Sequence, residues 1–201
     1  MYLRRLGPAF SRFAGPPTQW RHRVRLFWYR TDKGIWAFTL VIGLIFTILG
    51  LVLREVVADK EHRQNLARQF HEQHLTCLAL NVYYEARGEP TAGQYAVAEV
   101  TMNRKASPRY PATVCAVVYQ KNWDPIRRRY VAAFSWTELS KLEEPGGEEW
   151  QRARKIAEAV YYETHTPALQ GALFFHATYV KPEWAKEKQR VARIGRHIFY
   201  R

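Results

Sequence analysis

Cysteine is scarce in this chain, with two residues in 201. That excludes a disulfide-dense scaffold and a four-cysteine zinc fold. Acids are also in short supply, 18 against 31 lysines and arginines, leaving a formal charge of +13. So basic a chain needs a polyanionic neighbour, and nucleic acid, anionic lipid and acidic cell-wall polymer all qualify by charge. No glycine-rich phosphate loop, nucleophile elbow or H-E-x-x-H motif is present, so nucleotide, serine-hydrolase and zinc-protease chemistry lack their signatures. His71, His74 and Cys77 share a helical face at i, i+3 and i+6 without an evident fourth ligand. Neither a metal nor a cofactor is expected.

What the chain does have is one long apolar run. Residues 35–53, IWAFTLVIGLIFTILGLVL, contain no charge. As a helix this run spans about 28 Å, close to the hydrocarbon core of a bilayer. It is longer and bulkier than a signal-peptide core, and Arg54-Glu55 follows where a cleavage site would need small residues. It reads as an uncleaved transmembrane anchor. Residues 1–34 carry eight basic residues against the single acid Asp32, whereas 54–75 carry four of each sign. The positive-inside rule then puts the N-terminus in the cytoplasm and the remainder in the periplasm, as a single-pass inner-membrane protein. The expected organisation is a basic tail (1–34), an anchor (35–53), a polar stalk (54–75) and an exported domain (76–201). The exported part holds 19 basic and 13 acidic residues, only moderately basic, so no nucleic-acid partner is expected. Anionic lipid suffices for the tail.

In the exported domain, Leu75, Leu78, Ala79, Val82 and Ala86 follow helical spacing until Gly88 stops the run. Pro90 opens a second helix to about Asn103, Thr113–Tyr119 reads as a short helix and Glu148–Thr164 as a longer one. Residues 120–145 read as a surface excursion. Ala172–Ala177, Arg190–Ile194 and His197–Tyr200 around Gly195 read as strands. The sum is a mainly helical α+β domain with a small C-terminal β element.

The most informative segment is Asn81–Pro90. Glu85 lies seven residues after Leu78 and three after Val82, which turns it towards the apolar side. Burial there raises a carboxyl pKa, and the negative end of the helix dipole pushes the same way. Glu89, ahead of Pro90 at the next helix start, is expected to stay ionised. The alternative is that Glu85 pairs with Arg87 or Arg104 on a solvated face, as most helical glutamates do.

The stretch Cys77 to Arg104, with Glu85-Ala-Arg-Gly-Glu89-Pro, Gly93-Gln94 and Asn103-Arg104, resembles the cell-wall hydrolase family typified by the spore cortex-lytic enzyme SleB. The likeness continues through Ser107–Pro111, Thr113–Cys115, Phe134-Ser135-Trp136, Gly171–Ala177 and Gly195–Tyr200, in order. The resemblance implies a lysozyme-like fold and cleavage of peptidoglycan glycan strands between N-acetylmuramic acid and N-acetylglucosamine, usually by lytic transglycosylation. It makes Glu85 the general acid and base, and no second carboxylate is obvious. Glu99 is expected to brace Arg104 or a neighbouring helix. Tyr84, Glu89, Ser135, Trp136 and His176 are candidate substrate-binding residues, His176 by resemblance alone. Cys77 and Cys115 both lie in matched segments and, given the topology, in an oxidising compartment; a disulfide between them is expected. The segment Trp123–Tyr130, with Arg127-Arg128-Arg129, departs from the pattern. The rival reading is an inactive peptidoglycan-binding module that recruits a wall-remodelling partner.

Overall fold

The computed structural model describes residues 33–125 and 127–201; the basic tail lies outside them. The chain divides into two units, meeting between Arg63 and Gln64. Helix α1, Lys33–Ala86, runs without interruption through the residues assigned to anchor, stalk and first domain helix. In the first unit the described residues are all α1, and their apolar side chains are exposed. This is the one described helix long and apolar enough to cross a membrane.

The second unit starts inside the expected stalk. Burial along α1 begins at His74, and just before it Glu72 binds Arg154 at 2.7 Å. Next come α2 (Thr91–Ala106), α3 (Val114–Val118), a hairpin of β1 (Lys121–Asp124) and β2 (Arg129–Ala132), and α4 (Gly147–Tyr161). Strands β3 (Phe174–Ala177), β4 (Arg190–Ile194) and β5 (His197–Tyr200) form an antiparallel sheet in the order β3-β5-β4. The mainly helical α+β reading holds.

Helix α2 is the centre of this unit. Ala96 to Thr101 are all buried, so the helix is enclosed on every side rather than amphipathic. Ala98 joins a core with Leu78 and Val82 of α1, Val117 of α3, and Ile156 and Ala157 of α4. Ala96 and Val100 join a second core with Leu169, Ala172 and Phe199. The polar end of α2 serves the loop before β3: Asn103 Nδ2 donates to the carbonyls of Leu169 (2.8 Å) and Ala172 (3.1 Å). Glu99 accepts the Leu169 N–H at 2.7 Å and holds His165 at 2.9 Å. It therefore braces this loop and not Arg104, because the loop offers unpaired backbone donors.

One expectation is corrected here and another is met. Residues 120–145 contain a hairpin paired from Lys121↔Ala132 to Asp124↔Arg129, and Phe134 and Trp136 inside that stretch are core residues. The charge and aromatic mixture hid a short two-sided ribbon whose Trp123 and Tyr130 pair across strands at 5.4 Å. Cys77 and Cys115 form the expected disulfide, joining α1 to α3. Cys77 is thus removed from any metal set with His71 and His74.

Candidate active site

Glu85 sits on the last turn of α1, between the fully buried Val82 and the nearly buried Ala86. Its carboxyl is pushed up to about 7, chiefly by burial, with Arg104 pulling the other way. Among the described residues it has no hydrogen bond and no ion pair within 4.0 Å. The surface pairing with Arg87 does not occur, because Arg87 turns to the Tyr83 hydroxyl (3.1 Å) and Glu143 (3.2 Å).

Arg104 is 8% exposed. Its Nε donates to the Leu173 carbonyl at 2.8 Å, and its guanidinium lies 5.0 Å from the Phe134 ring and 5.5 Å from that of Tyr110. It opens on a cleft of about 520 Å³ between the β1–β2 hairpin and β3, with Tyr110, Trp123, Phe174, Phe175 and Trp184 among the lining residues. A cleft of aromatic and polar residues holding a fixed cation suits a ligand with flat faces and several oxygens. Arg104 lines this cleft and its charge also acts on Glu85, which is not itself among the lining residues.

Glu89 behaves oppositely from Glu85, as expected, though for another reason. The Arg196 N–H reaches Oε2 at 2.8 Å and Arg196 Nε reaches Oε1 at 2.7 Å. Burial raises its pKa, but these bonds, with the nearby charges of His197 and Arg196, hold it below the ordinary value. The partner is a turn 107 residues away rather than the N–H groups of α2. With both oxygens engaged and its side chain 3% exposed, Glu89 is a structural anion and offers a substrate little.

The other expected site residues separate. Trp136 is 6% exposed, and its indole N–H donates to the buried Asn81 Oδ1 at 2.9 Å. Tyr84 stacks on Trp136 with centroids 4.7 Å apart and donates its hydroxyl to the Glu143 carbonyl at 2.7 Å. Both rings are structural members of the α1 face. Ser135 alone of this group is exposed. His176 Nδ1 donates to the Ala177 carbonyl and Nε2 accepts from the Tyr200 hydroxyl, each at 2.9 Å. The ring abuts the cleft residue Trp184 at 5.6 Å, edge on, and so backs the wall.

A family model for cell wall hydrolases matches residues 88–200, more than half of the chain. The chain belongs to the cell wall hydrolase family. The motif resemblance is therefore a family relationship. The spore cortex-lytic enzyme of Halalkalibacterium halodurans is 29% identical over 142 residues, 71% of this chain and 39% of that protein. That of Bacillus subtilis is 28% identical over 138 residues, 67% and 40% respectively. The chain thus spans about two fifths of the length of the curated relatives it matches. Among solved structures, the catalytic domain of the germination-specific lytic transglycosylase SleB from Bacillus anthracis matches with a TM-score of 0.46 and 28% identity, over 64% of this chain and 93% of that one.

In this member of the family, the matched segment contains two residues whose roles the sequence reading missed, Arg104 and Arg196. Arg104 had a signal, since it stands seven residues after Val97 and four after Val100 on a buried face. Arg196 had only its place after Gly195.

Proposed function

We propose that this cell wall hydrolase cleaves peptidoglycan glycan strands between N-acetylmuramic acid and N-acetylglucosamine as a lytic transglycosylase, on a lysozyme-like domain. The observation that carries the reading is Glu85: a partly buried carboxyl without a hydrogen-bond partner among the described residues, raised to about 7, and acted on by the charge of Arg104, which lines an aromatic cleft. A protonated carboxyl in that setting donates its proton to the glycosidic oxygen as the bond to the muramic C1 breaks. The resulting carboxylate takes the proton of the same sugar's C6 hydroxyl as that oxygen closes on C1, giving a 1,6-anhydro end and restoring the acid. No cofactor enters.

A hydrolase would add a second carboxylate to activate water or attack the sugar. Glu89 and Glu99 are both engaged in structural bonds. Asp124, on the cleft wall, accepts the Arg127 N–H at 2.9 Å and so fixes the hairpin tip. That distribution favours the internal hydroxyl as nucleophile. Residues 35–53 serve as the inner-membrane anchor, with the N-terminus cytoplasmic and the catalytic unit periplasmic. A disulfide between Cys77 and Cys115 fits an oxidising compartment.

The test is digestion of purified sacculi by the full chain in detergent, with mass spectrometry of the released ends. Muropeptides ending in 1,6-anhydro-muramic acid are expected, with release falling by about a hundredfold or more in Glu85→Gln. Reducing ends would make it a hydrolase. Undiminished release by the variant would remove Glu85 from the mechanism, and sacculus binding without release would make the domain a wall-binding module.

A further inference from the structure

Arg104 poses a problem that the proposed chemistry does not resolve. A guanidinium cannot shed its charge in a protein, so a buried one needs an anion or a full set of acceptors. Arg104 has its Nε on the Leu173 carbonyl and weak help from the Tyr110 hydroxyl. Its Nη1 is sealed from water with no hydrogen-bond partner among the described residues, and no carboxylate of these residues lies within 4.0 Å of it; Glu85, whose charge also acts on it, stands farther off and is itself pushed up to about 7. Glu99, the nearest acid along α2, is taken by His165 and the loop before β3. The position is fixed, because Phe134 and Tyr110 hold the guanidinium between rings. The group also borders the 520 Å³ cleft.

A preset guanidinium with no ion pair, on the wall of an aromatic cleft, is a receptor for a carboxylate, held there by charge-assisted hydrogen bonding. We propose that Arg104 is a specificity-determining residue that takes a carboxylate of the glycan strand, so that the cleft selects strands bearing one over neutral strands. The inference rests on the peptidoglycan reading and deepens it. Two sources share this chemistry: the lactyl group of a peptide-free muramic acid, and the acids of an attached peptide stem. The aromatic lining of Trp123, Phe174, Phe175 and Trp184 supplies faces for the sugars while Arg104 sets register along the strand.

The test is binding to the full chain carrying Glu85→Gln, read by tryptophan fluorescence, since Trp123 and Trp184 line the cleft. One probe pair is a peptide-free tetrasaccharide of alternating N-acetylglucosamine and N-acetylmuramic acid and its lactyl methyl ester. The other is a tetrapeptide-bearing strand and the same strand with its stem acids amidated. At least about tenfold weaker binding of the neutral partner is expected in one pair, and which pair shows it identifies the source. Binding within twofold in both pairs, or no binding of any probe, overturns the proposal. In Arg104→Gln the discrimination is expected to vanish. Should that variant fail to fold, the neutral-against-anionic comparison with Arg104 intact still decides. If the unsubstituted chain releases muropeptides while both pairs bind equally, this inference fails and the enzyme reading stands. A carboxylate preference without muropeptide release sinks the enzyme reading and leaves Arg104 as the carboxylate receptor of a wall-binding cleft.

Discussion

Arg196 holds Glu89 by both oxygens, through its backbone N–H at 2.8 Å and its Nε at 2.7 Å, and so ties the start of α2 to the β4–β5 turn. The turn can approach this closely because residue 195 is glycine, with φ +57°; a Cβ there would run into Glu89 Oε2 and Pro90. The anchor lies one turn of chain beyond Glu85, so it fixes the segment from which that acid projects. Gly195→Ala is expected to cost about 3 kcal/mol, combining left-handed backbone strain with displacement of a buried carboxylate. Urea unfolding measures it, and a loss below about 0.5 kcal/mol would show that the turn simply moves away.

The Cys77–Cys115 disulfide closes a loop of 38 residues that includes Glu85, Glu89 and Arg104. Chain-entropy arguments put its contribution near 4 kcal/mol. Reduction, or Cys115→Ala, should lower the melting temperature of the second unit substantially while leaving the cleft intact below the transition. Melts with and without reductant give the difference; coincident melts would mean that the bond is absent from the purified protein.

Trp136 illustrates where sequence reading and structure part. Trp136, in the motif Phe134-Ser135-Trp136, was a candidate substrate-binding residue, yet the indole is buried and bonded to Asn81, whose Nδ2 donates to Thr101 Oγ1 at 3.0 Å. Trp136→Phe leaves a buried acceptor without its donor, at about 1–3 kcal/mol. Stability should fall while KM for glycan strands stays unchanged. A raised KM with stability preserved would return Trp136 to the substrate groove.

The contrast shows what one sequence can carry. Helical spacing placed Leu78, Val82 and Glu85 correctly, because a helix converts position into direction with no help from the rest of the fold. That Glu89 stays ionised was expected from the N–H groups at the start of α2, which are not what binds it. What supports Glu89 is Arg196, and the charge that acts on Glu85 is that of Arg104. Those partnerships are set by how β5 and the loop after α4 return onto α2, and no local pattern encodes them. The β1–β2 hairpin was hidden because neither strand buries a full face, so no period-two signal arises.

Glu85 should make activity and stability respond to pH in related ways. As a general acid it must be protonated, so kcat/KM for strand cleavage is expected to fall about tenfold per unit above a pKa of about 7. Its folded pKa stands above the ordinary carboxyl value of 4.5. The stability it contributes is therefore complete below 4.5 and is lost as pH rises through about 7, where a charge must be held in a partly buried site. The loss by alkaline pH is on the order of 3 kcal/mol. Glu85→Gln stays neutral throughout, so it should be inactive yet more stable than the unsubstituted chain at about pH 8.5, with the gap closing towards about pH 4. Urea titrations at the two pH values check this. A gap independent of pH would mean that Glu85 ionises without penalty, and the proton donor would have to be another residue.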